Sequence, residues 1–361
     1  MEMSSLGIEK LKISNFRSYK NLELFFDSAP TIIYGKNGVG KTNLLEAISL
    51  LYPGKGIRRS SFHDMMNISK NLPWKVEAVC HRNNKFFELE TSSEGKGRVV
   101  RIDGKKVPQN NLSSSLKIIW FLPPMDRIWM ESSKDRRKFL DRMVFSLDIK
   151  HAKRCAQYEK LLRDRNRLLK DHIVDSSWYL AIEKQMSVLG FEIDSSRRCF
   201  IENLNNTLTQ KNLHFPPIKL QLKDEPIENN EALFENLINQ RDKDLVSGRT
   251  SFGPHADDLQ GFYLEKDIDT KYCSTGEQKL SIISIILSNA KLIKEKQNIS
   301  PILILDEITA HLDEVRKENL FSELLSLESQ FFISGTEAGI FNSLRTEAKF
   351  LELDEKKKSV A

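Results

Sequence analysis

The sequence predicts an α/β fold, one large domain interrupted by a mainly helical insert. Two mainly apolar runs, Thr31–Tyr34 and Ile302–Leu305, have the composition of buried parallel strands. Between them, residues 134–171 carry thirteen Lys/Arg against six Asp/Glu at helical spacing (FLDRMVFSL, YEKLLRDRNRLL). At 361 residues the chain exceeds one small domain, so a large domain with an added lobe is the natural partition.

Taken in order, residues 8–26 alternate apolar and polar (IEKLKISNF, then NLELFF), as a short antiparallel pair does. TIIYG is a buried strand that breaks at Gly35. TNLLEAISLLY then has helical spacing and stops at Pro53-Gly54. VEAVCH, KFFELET and RVVRIDG are strands again, with Asn83-Asn84 and Asp103-Gly104 as turns. Composition changes after Leu122-Pro123-Pro124, and helix continues to about Leu208, interrupted near Asp175. Phe215-Pro216-Pro217 breaks the pattern before an acidic helical stretch over residues 228–245. LQGFYLE is strand-like, a helix opens near Thr275, and PILILDE supplies the second apolar strand. No internal repeat is present, and the charged tail DEKKK is the one biased tract. The resulting division is a head from residues 1–133 and 246–361 around a helical arm of residues 134–245.

A hydrophobic share of 40% and a charged share of 29% describe a globular chain rather than a disordered or membrane-embedded one. The net charge of +5 permits a polyanionic partner without demanding one. Cys80, Cys155, Cys199 and Cys273 are far apart, which disfavours a disulfide framework or a zinc site and fits a reducing cytoplasm. The N-terminus lacks the apolar core of a signal peptide. The most apolar run, residues 282–287, is far shorter than the roughly 18 residues of a membrane span.

Gly35-Lys36-Asn37-Gly38-Val39-Gly40-Lys41-Thr42 matches G-x-x-x-x-G-K-[ST] without departure. Glycines let the backbone curl its N–H groups around the β-phosphate of ATP, and the following helix adds its positive end. Lys41 reaches the β- and γ-phosphates, and the Thr42 hydroxyl is suited to ligating Mg²⁺. Ile302–Leu305 ends in Asp306-Glu307, as a Walker B strand does. Asp306 would hold Mg²⁺, and Glu307, facing another way, would polarise the water that attacks the γ-phosphate. A helix-capping acid pair is the alternative for these two carboxylates.

Cys273-Ser274-Thr275-Gly276-Glu277-Gln278 opens an apolar helix and forms a second anion-suited turn. One nucleotide does not need two such sites from one chain, whereas a head-to-tail dimer would use one from each subunit. An ordinary helix cap is the alternative.

P-loop, S-x-G-E-Q turn, acidic strand end and then Ala310-His311-Leu312-Asp313 stand in the order of ABC ATPases. The chain therefore resembles an ABC-type P-loop NTPase head with an inserted mainly helical arm lobe, its Ser274 turn like the signature motif and Asp313 like the D-loop aspartate. More narrowly it resembles the RecF family, related to SMC heads. The matching residues are Ile13-Ser14-Asn15-Phe16-Arg17-Ser18-Tyr19, Arg136-Arg137-Lys138-Phe139-Leu140-Asp141, Gly253-Pro254-His255-Ala256-Asp257-Asp258 and LILDEITAHLDEVRKENL.

The resemblance implies that Arg17 reaches the nucleotide phosphates and that Ser274, with Gly276, meets the γ-phosphate of an opposing subunit. It also implies an ATP-induced homodimer with weak, slow and DNA-dependent ATP hydrolysis, and binding to single-stranded and gapped duplex DNA. RecR and RecO are the implied partners, recombinase loading and the SOS response the implied context, and the cytoplasm the location. Two departures stand out. Ala256 replaces the family's usual arginine, and after FFIS, Ser334 and Thr336 stand where transporters carry a switch histidine, which favours the repair branch. The Q-loop region, residues 123–126, has no glutamine.

Arg136, Arg137, Lys153, Arg154, Arg163, Arg165 and Arg167 could track DNA phosphates through counterion release. A solvated helix face would present the same charges. No base-reading motif is visible, so backbone binding with little sequence preference is expected. Asp267-x-Asp269 is a turn pattern, and His255 has a structural or dimer-facing character. A membrane transporter's ATPase subunit is one rival, disfavoured by the basic arm and missing histidine. An ABC-head nuclease is another, for which the chain has no room for a metal-binding domain.

Overall fold

Alternation at the N-terminus produces a hairpin of β1 (Leu6–Phe16) and β2 (Tyr19–Phe25) in this computed structural model, which describes residues 6–67, 72–83, 85–94, 97–173, 175–209 and 214–354. The chain continues through β3 (Thr31–Tyr34), α1 (Lys41–Ser49), β4 (Lys75–Arg82), β5 (Lys85–Glu94), β6 (Gly97–Ile102) and β7 (Lys105–Val107). A short α2 (Leu112–Ser115) and β8 (Ile118–Phe121) follow. The helical segment is α3 (Ser133–Leu147), α4 (His151–Lys170) and α5 (Ser176–Leu208), then β9 (Ile218–Leu222), α6 (Asn230–Asn239) and α7 (Arg241–Ser247). The remainder is β10 (Leu259–Tyr263), β11 (Ile268–Asp269), α8 (Thr275–Gln297), β12 (Ile302–Leu305), α9 (Glu314–Ser326), β13 (Phe331–Gly335) and β14 (Lys349–Glu352). Two compact units result, Met1–Asp126 with Ile282–Ala361, and Arg127–Ser281.

In the first unit an antiparallel sheet runs β2-β1-β4-β5-β6-β7. Asp103 (φ 49°) and Gly104 (φ 73°) join β6 to β7 with two left-handed residues, as a type I′ turn requires. Asn84, half of the other expected turn, lies outside the described residues, as does most of the charged tail. The parallel sheet runs β14-β3-β13-β12-β8. Its central strand β12 is apolar at every position because both faces are covered: Ile302, Leu303, Ile304 and Leu305 have no exposed surface. β13 separates β3 from β12, so the carboxyl ends of all three open on one edge, where ligands of open parallel sheets gather. Gln330, just before β13, ties the two sheets together. It accepts from Ile8 N at 2.8 Å and donates to Ile8 O and Asp27 O, each at 2.9 Å.

In the second unit α4 and α5 pack around Tyr158, Met186, Ile193, Leu233 and Leu237. Gly190 makes the close approach possible, since a Cβ there would sit 2.6 Å from Leu233 Cδ2 and 3.2 Å from Tyr158. Arg165, expected among the DNA-facing cations, is fully buried instead. It donates to Glu183 at 2.9 Å, to Asp244 at 2.7 Å and to Thr250 at 2.8 Å, while Arg241 reaches Glu183 at 2.6 Å. Two guanidiniums and two carboxylates thus neutralise one another where none could stand alone.

Three features depart from the sequence expectation. The helix expected to run on past residue 147 stops at Asp148, whose carboxylate accepts from Lys150 N at 3.0 Å. Residues 246–281, expected in the head, group with the arm, because β10 completes a three-stranded sheet with β9 and β11. β9 has no counterpart in the sequence reading, although Ile218, Leu220 and Leu222 alternate inward along it. Among the described residues no helix is long and apolar enough to cross a membrane.

Candidate functional site

β3 delivers the chain into the glycine loop, and three of its residues need left-handed backbone: Gly35 (φ 144°), Gly38 (φ 84°) and Gly40 (φ 111°). Gly40 is constrained twice over. A Cβ there would fall 2.8 Å from Tyr19 Oη, and that buried hydroxyl donates to Gly40 O at 3.0 Å. The same carbonyl accepts from Leu44 N at 3.0 Å and so starts α1.

Lys41, 5% exposed, curls back over the loop and donates to Gly35 O at 2.6 Å and Lys36 O at 3.1 Å. Burial pushes its ammonium below the ordinary lysine range, while Glu307 and Asp306 pull it back up. A cleft of about 260 Å³ opens here, lined by Asn37, Gly38, Lys41, Thr42, Arg58 and Glu307 among others.

The Walker B residues meet the loop directly. Thr42 Oγ1 donates to Asp306, at 3.0 Å from Oδ2. Ser334, fully buried on β13, donates to Asp306 Oδ1 at 2.6 Å and accepts from Glu307 N at 2.9 Å. That hydroxyl fixes both acidic residues at once. Glu307 itself is left-handed, φ 50°, a conformation that costs a glutamate ~1–3 kcal/mol and persists only where surroundings impose it. Its side chain lines the first cleft and also a second of about 340 Å³, which Asn37, Ala310, His311 and Thr336 share. Asp313 is exposed and caps α9, accepting from Arg316 N at 2.8 Å.

Arg17, expected near phosphate, is bidentate to the buried carboxylate of Glu46, both contacts at 2.9 Å, and also donates to Ser60 Oγ at 2.6 Å. Arg58 shares Glu46 at 3.5 Å and bonds Asn43 Oδ1 at 2.7 Å. Sequence reasoning misses Arg58, because nothing in GIRRS distinguishes it from a surface loop. It finds Ser334 only as a non-histidine.

The Ser274 turn belongs to the second unit and forms a capping box. Ser274 N and Oγ donate to Glu277 Oε2 at 3.0 and 2.8 Å, and Lys266 pairs with Glu277 Oε1 at 2.5 Å. The Lys266 bond first, then those from Ser274, hold the Glu277 carboxyl at about 2. Being depressed, this group supports the turn fully above its ordinary pKa of ~4.3 and loses that support as pH falls toward 2. A carboxyl-carbon NMR titration should therefore give a midpoint near 2. A value at the ordinary position would mean that the box does not form in solution.

The arm arginines divide sharply. Arg136 is bidentate to Asp258 at 2.8 and 2.7 Å, Arg137 donates to Asp257 O, and Arg154 pairs with Asp148 and, at 2.8 Å, Glu192. These three build the unit. Arg163 and Arg167 are exposed, with Lys153, Lys160 and Lys170, at steps of three, four or seven residues along α4. Such steps align them on one helix face, a cationic stripe on a helix of 20 residues, about 30 Å long.

Comparison with known proteins accords with this geometry. The RecF/RecN/SMC N-terminal domain family matches residues 7–359. The chain is 36% identical to the DNA replication and repair protein RecF of Rhizobium rhizogenes over 95% of this chain and 96% of that one. It is 35% identical to RecF of Rickettsia prowazekii over 97% of this chain and 100% of that one. Among solved structures it is similar to the recombination mediator protein RecF with ATP in the RecFOR pathway, at 25% identity and a TM-score of 0.81, covering 92% of this chain and 94% of that one. The Smc head domain of Pyrococcus furiosus shares the fold, at 18% identity and a TM-score of 0.53 over 93% and 91% of the two chains.

Proposed function

The chain belongs to the RecF/RecN/SMC N-terminal domain family, and within it to the RecF group of DNA replication and repair proteins, and from that premise we propose that it is an ATP-operated DNA-binding switch. ATP closes a homodimer on single-stranded or gapped DNA during recombinational repair and replication-fork maintenance, and slow hydrolysis reopens it. The observation that carries this reading is the Thr42–Asp306 contact at the mouth of the P-loop, with Glu307 beside it.

Each residue then has a task. The N–H groups of the loop and Lys41 bind the triphosphate. Arg58 lines the cleft, near an anion held there, and Arg17 stands behind it on the shared carboxylate of Glu46. Thr42 Oγ1 and the Asp306 carboxylate are hard oxygen donors 3.0 Å apart, a pair that fits Mg²⁺. When bound, that ion supplies charge compensation to phosphate oxygens. Glu307 orients the attacking water and takes its proton, while Ser334 keeps the backbone of Glu307 and the carboxylate of Asp306 in register.

The dimer reading is supported by exposure. Ser274 and Asp313 are exposed, and nothing stands within 4 Å of where a Cβ on Gly276 would lie. A second copy's phosphates can therefore reach the turn. RecR and RecO as partners, recombinase loading, the SOS response and a cytoplasmic setting are part of the same proposal, which family membership supports.

DNA contact is assigned to the α4 stripe, where Arg163 and Arg167 stay exposed, Arg167 with a solvent-exposed pair to Asp171 at 3.6 Å, while Arg136, Arg137 and Arg154 serve the fold. The test is a titration of single-stranded, gapped and duplex DNA, with and without ATP, at several salt concentrations. ATP should raise affinity. Lys160→Ala with Arg167→Ala should lower the slope of log K against log salt by ~1.4–1.8 units, since each lost phosphate contact removes ~0.7–0.9. An unchanged slope would take the stripe out of the interface.

A further inference from the structure

The second unit contains a cavity of about 510 Å³ beside α3, α4 and α5, within the ~300–1,000 Å³ range of small-ligand sites. No step of the ATP switch uses it. Its floor is largely apolar and neutral, formed by Tyr158, Leu162, Ile193 and Pro254. His255 adds a polar edge, its Nδ1 bonded to Tyr158 Oη at 2.9 Å, and burial holds its imidazole below the ordinary range and so uncharged at neutral pH.

The rim has the opposite character. Lys134, Arg137, Lys138 and Arg163 line it. Of the acids at the cavity, Asp141 has both oxygens taken by Arg197 at 2.8 and 2.9 Å, and Glu159 is exposed. Burial, then the adjacent charge of Arg197, pushes the Arg137 guanidinium below its ordinary range, against the opposing pull of Asp258, Asp141 and Asp257. Arg163 also belongs to the stripe on α4, which makes cavity and stripe one continuous surface.

A largely apolar floor, edged by the Tyr158 ring and the His255 imidazole, under a cationic rim complements a nucleotide: a flat base below, a phosphate above. We propose that the cavity takes one unstacked nucleotide of a DNA single strand, its base against Tyr158 and Leu162 and its phosphate at Lys134 and Arg163. This rests on the α4 reading of DNA binding. A paired base is stacked and cannot enter without being flipped, so the cavity favours single-stranded over duplex DNA while the stripe serves both.

The test compares full-length wild type, Cys155→Leu and Lys134→Ala, using a single-stranded oligonucleotide, a duplex of equal length and a deoxynucleoside monophosphate as probes. Cys155 lines the cavity, and leucine adds aliphatic volume there without supplying a stacking face. Cys155→Leu should lower single-strand affinity about tenfold, the loss of roughly one stacked base, and leave duplex affinity unchanged. Lys134→Ala, at an exposed position that threatens no core, should lower single-strand affinity more than duplex affinity.

Equal losses on both DNAs, or no loss on either, overturn the proposal. So does a monophosphate that binds as tightly as the strand, which would make the cavity a free-nucleotide site. If instead wild type binds no DNA at all, or stripe substitutions change nothing, the underlying DNA reading fails, a result visible separately from the cavity variants.

Discussion

Lys41→Ala is expected to lower ATP affinity by about 2–5 kcal/mol, at least roughly thirtyfold, and to remove ATP-driven dimerisation with it. The size follows from where the ammonium lies. It is 5% exposed and held over the loop by Gly35 O and Lys36 O, so it meets the phosphates already desolvated and pointed. Nothing can replace it: Arg58 stands on the cleft wall, committed to Asn43 and Glu46. Lys41→Arg should fail too, since a wider planar guanidinium cannot take the place of a compact ammonium between those two carbonyls. Calorimetric titration with ATP and sedimentation with and without nucleotide would measure both effects. Wild-type sedimentation of the mutant in ATP would disprove the coupling of this lysine to assembly.

Glu307→Gln should have the opposite outcome on assembly. The amide keeps shape and backbone but cannot accept a proton, so hydrolysis should fall by about 10²–10⁴-fold while ATP stays bound and the dimer accumulates. Single-turnover hydrolysis read alongside sedimentation separates the two. A mutant that clears ATP at the wild-type rate would show that the proton goes elsewhere. Asp306 is a less informative target, because its carboxylate also bonds Thr42 and Ser334 and its loss would disturb the loop itself.

Much of the nucleotide site is legible in the sequence because its parts are contiguous there. Gly35 to Thr42 and Asp306-Glu307 are local patterns whose chemistry follows from residue type and neighbouring strands. What joins them is not legible. Ser334 reaches Asp306 only because β13 inserts between β3 and β12, a matter of strand order that no local pattern encodes. The arm shows the same limit. Arg136, Arg163 and Arg165 look alike in a basic run, yet Arg136 meets Asp258 from far along the chain and Arg165 lies buried on Glu183 and Asp244. Only Arg163 of the three remains exposed. The Ser274 turn sits between these cases. The spacing Ser-x-x-Glu encodes a capping box, and the single chain forms one. Its proposed use by a second subunit would be a property of the assembly.

The left-handed backbone of Glu307 carries an evolutionary consequence. Asparagine or glycine would occupy that conformation more comfortably than glutamate does. Selection for a sturdier fold alone would therefore replace this residue, and the turnover role proposed for Glu307 would keep it. Stability and activity are opposed at a single position. A lineage that needed ATP only to hold the clamp shut would be expected to drift toward Glu307→Gly or Glu307→Asn, losing its timer while gaining a firmer head.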